Sequence, residues 1–422
     1  MEILSSYNLI IAASLIIIMS FLFGEFARKT NIPSVLMLIV LGILLKFALD
    51  AGGMGDMNFF PVLEVLGIVG LIMIVLEAAL ELELKREKLV PITKSFVIAL
   101  LGLIGSAWVA AEILHYYIPG MEMSKAWLYA TPLSILSSAI IIPSVSGLKA
   151  TKREFHIYES TFSDILGIMF FYFLAGKFEG PAEQSGALGF MGNLGLTILI
   201  SFVASYGLVL IFQNIRSHVK LFLLISVLLL LYALGKKIHL SSLIIILIFG
   251  LLVANMELFF RGILRRWLNL EKAGQIYEGL HVVTMETAFV VRTFFFVIFG
   301  LTISLATLFS VKVALVSGLI VLSIYVIRFV ILRIFLGKDI IPQLFVAPRG
   351  LITILLFYAI PHEAMVEGFD PGILLFIIIA TSLIMTFVLI YDKQRSGKAV
   401  KTAEGLAVGY TQWKAPVVDQ EE

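Results

Sequence analysis

Apolar residues in this chain come in runs long enough to cross a bilayer, and the runs follow one another almost from end to end. A helical span needs about 20 mostly apolar residues, because a helix rises about 1.5 Å per residue through about 30 Å of hydrocarbon. About thirteen such runs are legible, at 8–27, 33–49, 61–80, 95–115, 126–148, 158–176, 189–212, 220–235, 240–256, 281–304, 311–335, 341–361 and 371–391. Lipid cannot satisfy free backbone groups, so each run is expected as a helix and the whole as an all-α polytopic membrane protein. Composition agrees: of 422 residues, 60% are hydrophobic and 14% charged, where a soluble chain carries about a quarter charged. That excludes a soluble enzyme, a nucleic-acid binder and a secreted disulfide scaffold. Cysteine is absent, which removes thiolate metal sites and cysteine nucleophiles. Met1 to Asn8 lack a basic leader and a cleavage site, so the first run is expected to be a retained helix. The amphipathic, basic segment 256–280 is expected to lie in the membrane interface.

Basic residues set the expected orientation. Of the 31 Lys and Arg, 22 fall in the odd-numbered gaps between runs and in the tail, 6 in the even-numbered gaps, and Arg292, Arg328 and Arg349 inside runs. The bias puts the N-terminus outside and the C-terminus in the cytoplasm of a cell (inner) membrane. A transmembrane unit over 1–391 and a short cytoplasmic tail over 392–422 are expected.

Two runs are interrupted. The fifth, TPLSILSSAIIIPSVSGL, carries Ser134, Ser137, Ser138, Ser144 and Ser146 around Pro143. The twelfth, LFVAPRGLITILLFYAIP, carries Pro348, Arg349 and Gly350. Proline removes a backbone donor and clashes with the preceding turn, and glycine loosens a helix further. Unwound backbone at membrane depth survives only where protein or a water-filled cavity covers it. The interruptions lie seven runs apart, and an odd offset reverses direction through the bilayer. Runs 1–6 and 8–13 are thus expected as inverted six-helix repeats with broken helices 5 and 12, the pattern that marks a transporter's midplane site.

Ionisable groups inside hydrocarbon cost about 2.5–3.5 kcal/mol on insertion scales and persist where they are paired or used. In YESTFSDILGIMFFYF, Ser160 and Asp164 are four residues apart and share a helix face, and Glu159 and Ser163 form a second such pair. A carboxylate with hydroxyls and freed carbonyls is hard-oxygen chemistry, suited to Na⁺, Li⁺ or a proton. A buried carboxylate that holds a proton or a cation, but not both, exchanges the two by that competition. Asp164 is the candidate for the shared (Na⁺) site, against a structural ion pair as its alternative. Glu159 is expected to pair with a buried arginine, Arg328 or Arg349. Glu77 lines a cytoplasmic funnel or simply begins a polar helix end. Arg292 pairs across the bundle or competes as a cation for Asp164. The six histidines lie near run ends and are expected to be solvated.

These strings resemble the monovalent cation:proton antiporters, in their sodium/proton exchanger branch, over about residues 8–391. ARKTNIPSVLMLIVLGILLKF is similar to the family's first turn and second helix, IVLEAALEL to its third helix, FFFVIFGLTIS to its tenth and PRG to the turn of its twelfth. ESTFSDILGI, similar to the family's Glu-Ser-x-x-Asn-Asp stretch, is the most specific. The resemblance implies a homodimer in which core helices 4–6 and 11–13 move against a dimerisation scaffold of helices 1–3 and 8–10. It implies Asp164 as the ion carboxylate, Ser160 as a coordinating hydroxyl with Ser163 beside it, and Glu159–Arg328 as a structural pair. Two departures stand out. Ser163 replaces the first acid or amide of the family's pair, and Ile141-Ile142-Pro143 stands where Thr-Asp-Pro is usual. Ser137, Ser138 or Ser144 is the hydroxyl available in compensation.

The expected activity is exchange of Na⁺ (or Li⁺ or K⁺) for H⁺ by alternating access, one ion for one proton because only Asp164 is free to titrate. No cofactor and no nucleic-acid partner are expected; membrane lipid, a second copy and the ions are. A potassium efflux system and a sodium-coupled organic-anion carrier are the alternatives. An intramembrane enzyme lacks H-E-x-x-H, G-x-S-x-G and cysteine.

Overall fold

A computed structural model describes residues 6–30, 34–51, 60–82, 84, 86–145, 147–179, 187–215, 220–237, 242–260, 269–302 and 310–406. Among these there is no strand, and every long helix falls on an apolar run: α1 Ser6–Thr30, α2 Ser34–Ala51, α3 Phe60–Glu81, α4 Leu89–Tyr117, α5 Met123–Ser134, α6 Ser138–Ser144, α7 Ala150–Glu179, α8 Ala187–Phe212, α9 Lys220–Lys237, α10 Ser242–Ala254, α11 Leu270–Thr302, α12 Val311–Leu336, α13 Leu351–Tyr358 and α14 Gly372–Leu406. Nine of the described helices are long and apolar enough to cross a membrane, counting α5 and α6 as one. The chain is a multi-pass membrane protein.

One expectation is corrected. The segment 256–280 is not a separate interfacial helix. Met256–Phe259 forms a single turn, 261–268 (with Arg261, Arg265 and Arg266) lies outside the described residues, and 270–280 is continuous with the following run in one 33-residue helix. At about 1.5 Å per residue α11 is about 50 Å long. Its first turns bury Ala273, Ile276 and Leu280, and the Tyr277 hydroxyl donates to the Leu80 carbonyl. Packing against α3, which composition does not reveal, extends the helix.

The helices pack in two groups. In one, α11 lies on α2 and α3, and α10 lies on α3, α8 and α9. In the other, α4 lies on α5, α7 and α12, and α14 lies on α12. Small residues permit the closest approach, since membrane helices associate by packing rather than by expulsion from water. A Cβ at Gly42 of α2 would collide with the Val297 carbonyl of α11, and one at Gly300 of α11 with the Ile39 carbonyl of α2. The groups meet along α3–α7, α3–α13 and α1–α6, and the functional residues collect at that seam.

Candidate ion site at the helix crossing

Both interrupted runs are broken, and the breaks touch. Ile135, Leu136 and Ser137 separate α5 from α6. Residues 346–350 precede α13 without helical structure. The Ser137 N–H donates to the Pro348 carbonyl at 3.0 Å, and a Cβ at Gly350 would strike the Ser137 side chain, so Gly350 permits the crossing. A Cβ on Gly167 of α7 would likewise meet the Ile135 side chain.

Proline does not mark the first break. Pro132 and Pro143 both lie inside their helices, in α5 and α6. The freed backbone groups have tertiary partners instead. Thr353 Oγ1 donates to the Pro132 carbonyl at 2.9 Å, Arg349 donates to the Leu133 and Ser134 carbonyls at 2.8 and 3.2 Å, and the Leu136 N–H donates to Ser163 Oγ at 3.0 Å. The Arg349 N–H donates to Thr381 Oγ1 of α14 at 3.0 Å. Arg349 is thus the buried tie between the two breaks, with Nη1 donating to the Ala347 carbonyl at 2.7 Å. Leaving such groups unpaired would cost about 1–3 kcal/mol each.

Helix α7 brings the carboxylates to the crossing. Glu159 is 1% exposed and receives a two-pronged contact from Arg328 of α12: Nη1 to Oε1 at 2.7 Å and Nη2 to Oε2 at 2.9 Å. Arg328 also donates to the carbonyls of Gln343, Leu344 and Val346. A cavity of about 20 Å³, roughly the volume of one water, lies between Glu159, Ser163, Arg328 and Arg349. His156, expected to be solvated, is fully buried, with Nδ1 3.5 Å from Glu159 Oε2. The local sequence carried no sign of this, because α7 runs on past the apolar run in both directions. Of the other histidines, His115 meets the Met121 carbonyl, His362 is exposed, and His218 and His239 lie outside the described residues.

Asp164 differs from Glu159. It is 1% exposed, and among the described residues no basic group pairs with it and neither carboxylate oxygen is held in a well-formed hydrogen bond. The Ser138 hydroxyl and backbone N–H act on it from the start of α6, as do the charges of Glu77 and Glu81. Ser160, at 0% exposure, turns its hydroxyl back to the His156 carbonyl at 2.7 Å. Ser163 accepts from the broken segment as described. On the α6 side a cavity of about 610 Å³ spans the seam, walled by Ser138, Pro143 and Ser144 of α6, Glu77 and Glu81 of α3, and Glu286 and Arg292 of α11. Arg292 Nη2 donates to Glu77 Oε1 and Oε2 at 3.3 and 3.2 Å. The structure therefore brings Glu77 and Arg292 together, and Glu159 and Arg328; no hydrogen bond joins Ser160 or Ser163 to Asp164. Glu81 and Glu286 enlarge the acidic wall; the spacing of Glu81 from Glu77 by one helical turn was the available signal.

Helices broken in pairs and crossing beside a buried carboxylate are the arrangement of a secondary transporter. A profile of the transmembrane region of sodium/hydrogen exchangers matches residues 12–391, and the chain belongs to that family, whose members are transporters rather than enzymes. Membership supports antiport of a cation against protons. The structure is similar to that of the sodium proton antiporter MjNhaP1 from Methanocaldococcus jannaschii at pH 8, with a TM-score of 0.62 and 20% identity over 90% of this chain and 94% of that one. A second structure of MjNhaP1, from an electron-microscopy map, gives a TM-score of 0.61 and 20% identity over 97% and 100%. No curated protein matches the sequence.

Proposed function

We propose that the chain exchanges Na⁺ (or Li⁺ or K⁺) for H⁺ across the inner membrane by alternating access, with Asp164 holding either the cation or the proton. The observation that carries this is the pair of unpartnered Asp164 oxygens, buried beside an acid-walled cavity. An unpaired buried carboxylate is costly; a proton or a small cation relieves it. The Ser138 hydroxyl would complete a hard-oxygen shell with Asp164, and the acidic wall would raise the local cation concentration. Ser160 and Ser163 shape the site from α7, the first by stiffening the turn before Asp164 and the second by pinning Leu136.

Exchange is one for one. Glu159 is neutralised by Arg328 and Glu77 faces Arg292, so a single carboxylate changes occupant per cycle. Runs 1–6 and 8–13 form inverted repeats. The group containing α4, α5, α6, α7, α12, α13 and α14 moves as the core against a scaffold of α1–α3 and α9–α11 that pairs with a second copy. The positive bias of the gaps puts the N-terminus outside and the 610 Å³ cavity on the cytoplasmic side. No cofactor beyond the transported ions takes part. An organic-anion carrier would need an arginine without an acidic or backbone partner; Arg328 and Arg349 are spent on Glu159 and on backbone carbonyls, and Arg292 in the cavity wall already faces Glu77.

Proteoliposomes loaded with a pH-sensitive dye test this. Addition of Na⁺, Li⁺ or K⁺ is expected to move protons with the unaltered protein and to fall at least about tenfold with Asp164→Asn. An Asn variant that still moves protons in response to Na⁺ contradicts the site. Turnover that follows an imposed membrane potential contradicts the ratio.

A further inference from the structure

The three arginines inside the apolar runs, Arg292, Arg328 and Arg349, are held very differently. Arg328 uses all three guanidinium nitrogens on Glu159 and on backbone carbonyls. Arg349 uses all three on carbonyls. Arg292 is held through Nη2 alone, at 3.2 and 3.3 Å, where a charge-assisted N–H···O⁻ bond is usually about 2.7–2.9 Å. Its Nε is buried without a partner. The Arg292 and Glu77 side chains are each 18% exposed, in the wall of the large cavity, against 9% and 1% for Arg328 and Glu159.

Two further carboxylates line the same cavity as this loosely held cation. Glu81 is one helical turn beyond Glu77 on α3, and the charge of Arg292 acts on it. Glu286 is six residues before Arg292 on α11 and lines the same cavity. Glu77 in turn acts on Asp164. We infer that Arg292 is a tethered counter-cation that occupies Glu77 while the site is empty, and that the entering cation displaces it toward Glu81, freeing Glu77 to face the ion at Asp164.

The inference rests on the exchange reading and adds a residue that sets cation affinity without touching the cation. A competitor that must leave lowers apparent affinity by the fraction of sites it occupies. Removing it raises affinity, and removing its alternative resting place lowers affinity. Long-range charge effects would make the same two shifts, but independently and additively; a swap between Glu77 and Glu81 couples them.

The experiment measures the apparent KM and kcat for Na⁺ in proteoliposomes at one pH for the unaltered protein, Arg292→Gln, Glu81→Gln and the double variant, with Na⁺-dependent thermal stabilisation in detergent as a readout of binding alone. Arg292→Gln is expected to lower KM and the midpoint of stabilisation about fivefold, the size a partly exposed ion pair imposes on a competing equilibrium. Glu81→Gln is expected to raise KM in the unaltered background and to have a clearly smaller effect once Arg292 is gone, the remainder being its share of the acidic wall. Arg292→Met, which removes the charge and keeps an unbranched stem, takes the place of the Gln variant in the same cycle if the latter does not fold. An unchanged KM in the Arg292 variant, or shifts that simply add, overturns the inference while leaving exchange standing. Failure of the unaltered protein to couple any cation to proton movement overturns the exchange reading and this inference with it.

Discussion

Glu159 and Asp164 lie on one helix, five residues apart, both buried, and are set to opposite tasks by what faces them. Arg328 closes on Glu159 from α12 with both prongs; among the described residues no basic group closes on Asp164, which Ser138 alone faces from α6. A carboxylate already neutralised by a guanidinium cannot trade occupants cheaply, whereas an unpartnered one must. Removing one member of the pair exposes the difference. Glu159→Ala leaves a buried, unpaired guanidinium, and a loss of about 3–5 kcal/mol is expected, read as thermal unfolding in detergent. Replacing both, Glu159→Leu with Arg328→Met, is expected to recover only part of that stability, because the Gln343, Leu344 and Val346 carbonyls lose their donor. Asp164→Asn removes an uncompensated buried charge and is expected to hold or raise the unfolding temperature while abolishing exchange. A pair that could be broken without loss of stability would contradict the structural assignment of Glu159.

At the scale of elements, the two breaks make one unit. Each supplies what the other lacks: the Ser137 N–H reaches the Pro348 carbonyl, and Arg349 reaches back to the carbonyls of Leu133 and Ser134. Gly350→Ala would drive a methyl group into Ser137. It is expected to reduce exchange at least about tenfold while the protein still reaches the membrane, because a displacement of about 1 Å at a reacting site carries a penalty of that size. The α2–α11 contact is a second such place and lies away from the crossing. Gly42→Ala or Gly300→Ala would set a Cβ against backbone of the facing helix, and overpacking of this kind costs about 1–3 kcal/mol. Thermal stability should fall in both, and restoration by a compensating change is not expected, because the obstructing atoms are main chain.

Across the whole molecule, two packed groups meet at a seam that holds a cavity of about 610 Å³ on one side of Asp164. Access from one side at a time is what alternating exchange requires. The chain contains no cysteine, so an introduced thiol is the only one present. Cysteines at Ala78 and Ser144, both in the cavity wall, are expected to react with a membrane-impermeant maleimide in inside-out vesicles and to be protected in right-side-out ones. Labelling from the outside alone would reverse the orientation drawn from the basic residues.

Hydrophobic length and charge placement by themselves determined that this chain is a helical, multi-pass membrane protein, and which few residues carry charge into its apolar runs. Lipid imposes these as local conditions, residue by residue, and a linear string can display them. Which charges pair, where the fifth run opens, and how far α11 extends were decided by groups distant in sequence. The opening falls at Ile135–Ser137, away from either proline, because Thr353, Arg349, Ser163 and Pro348 supply hydrogen-bond partners there. His156 is buried because α4, α5 and α6 pack around α7. Satisfying a broken backbone and isolating one carboxylate both depend on three-dimensional neighbours, and only the folded chain brings those neighbours together.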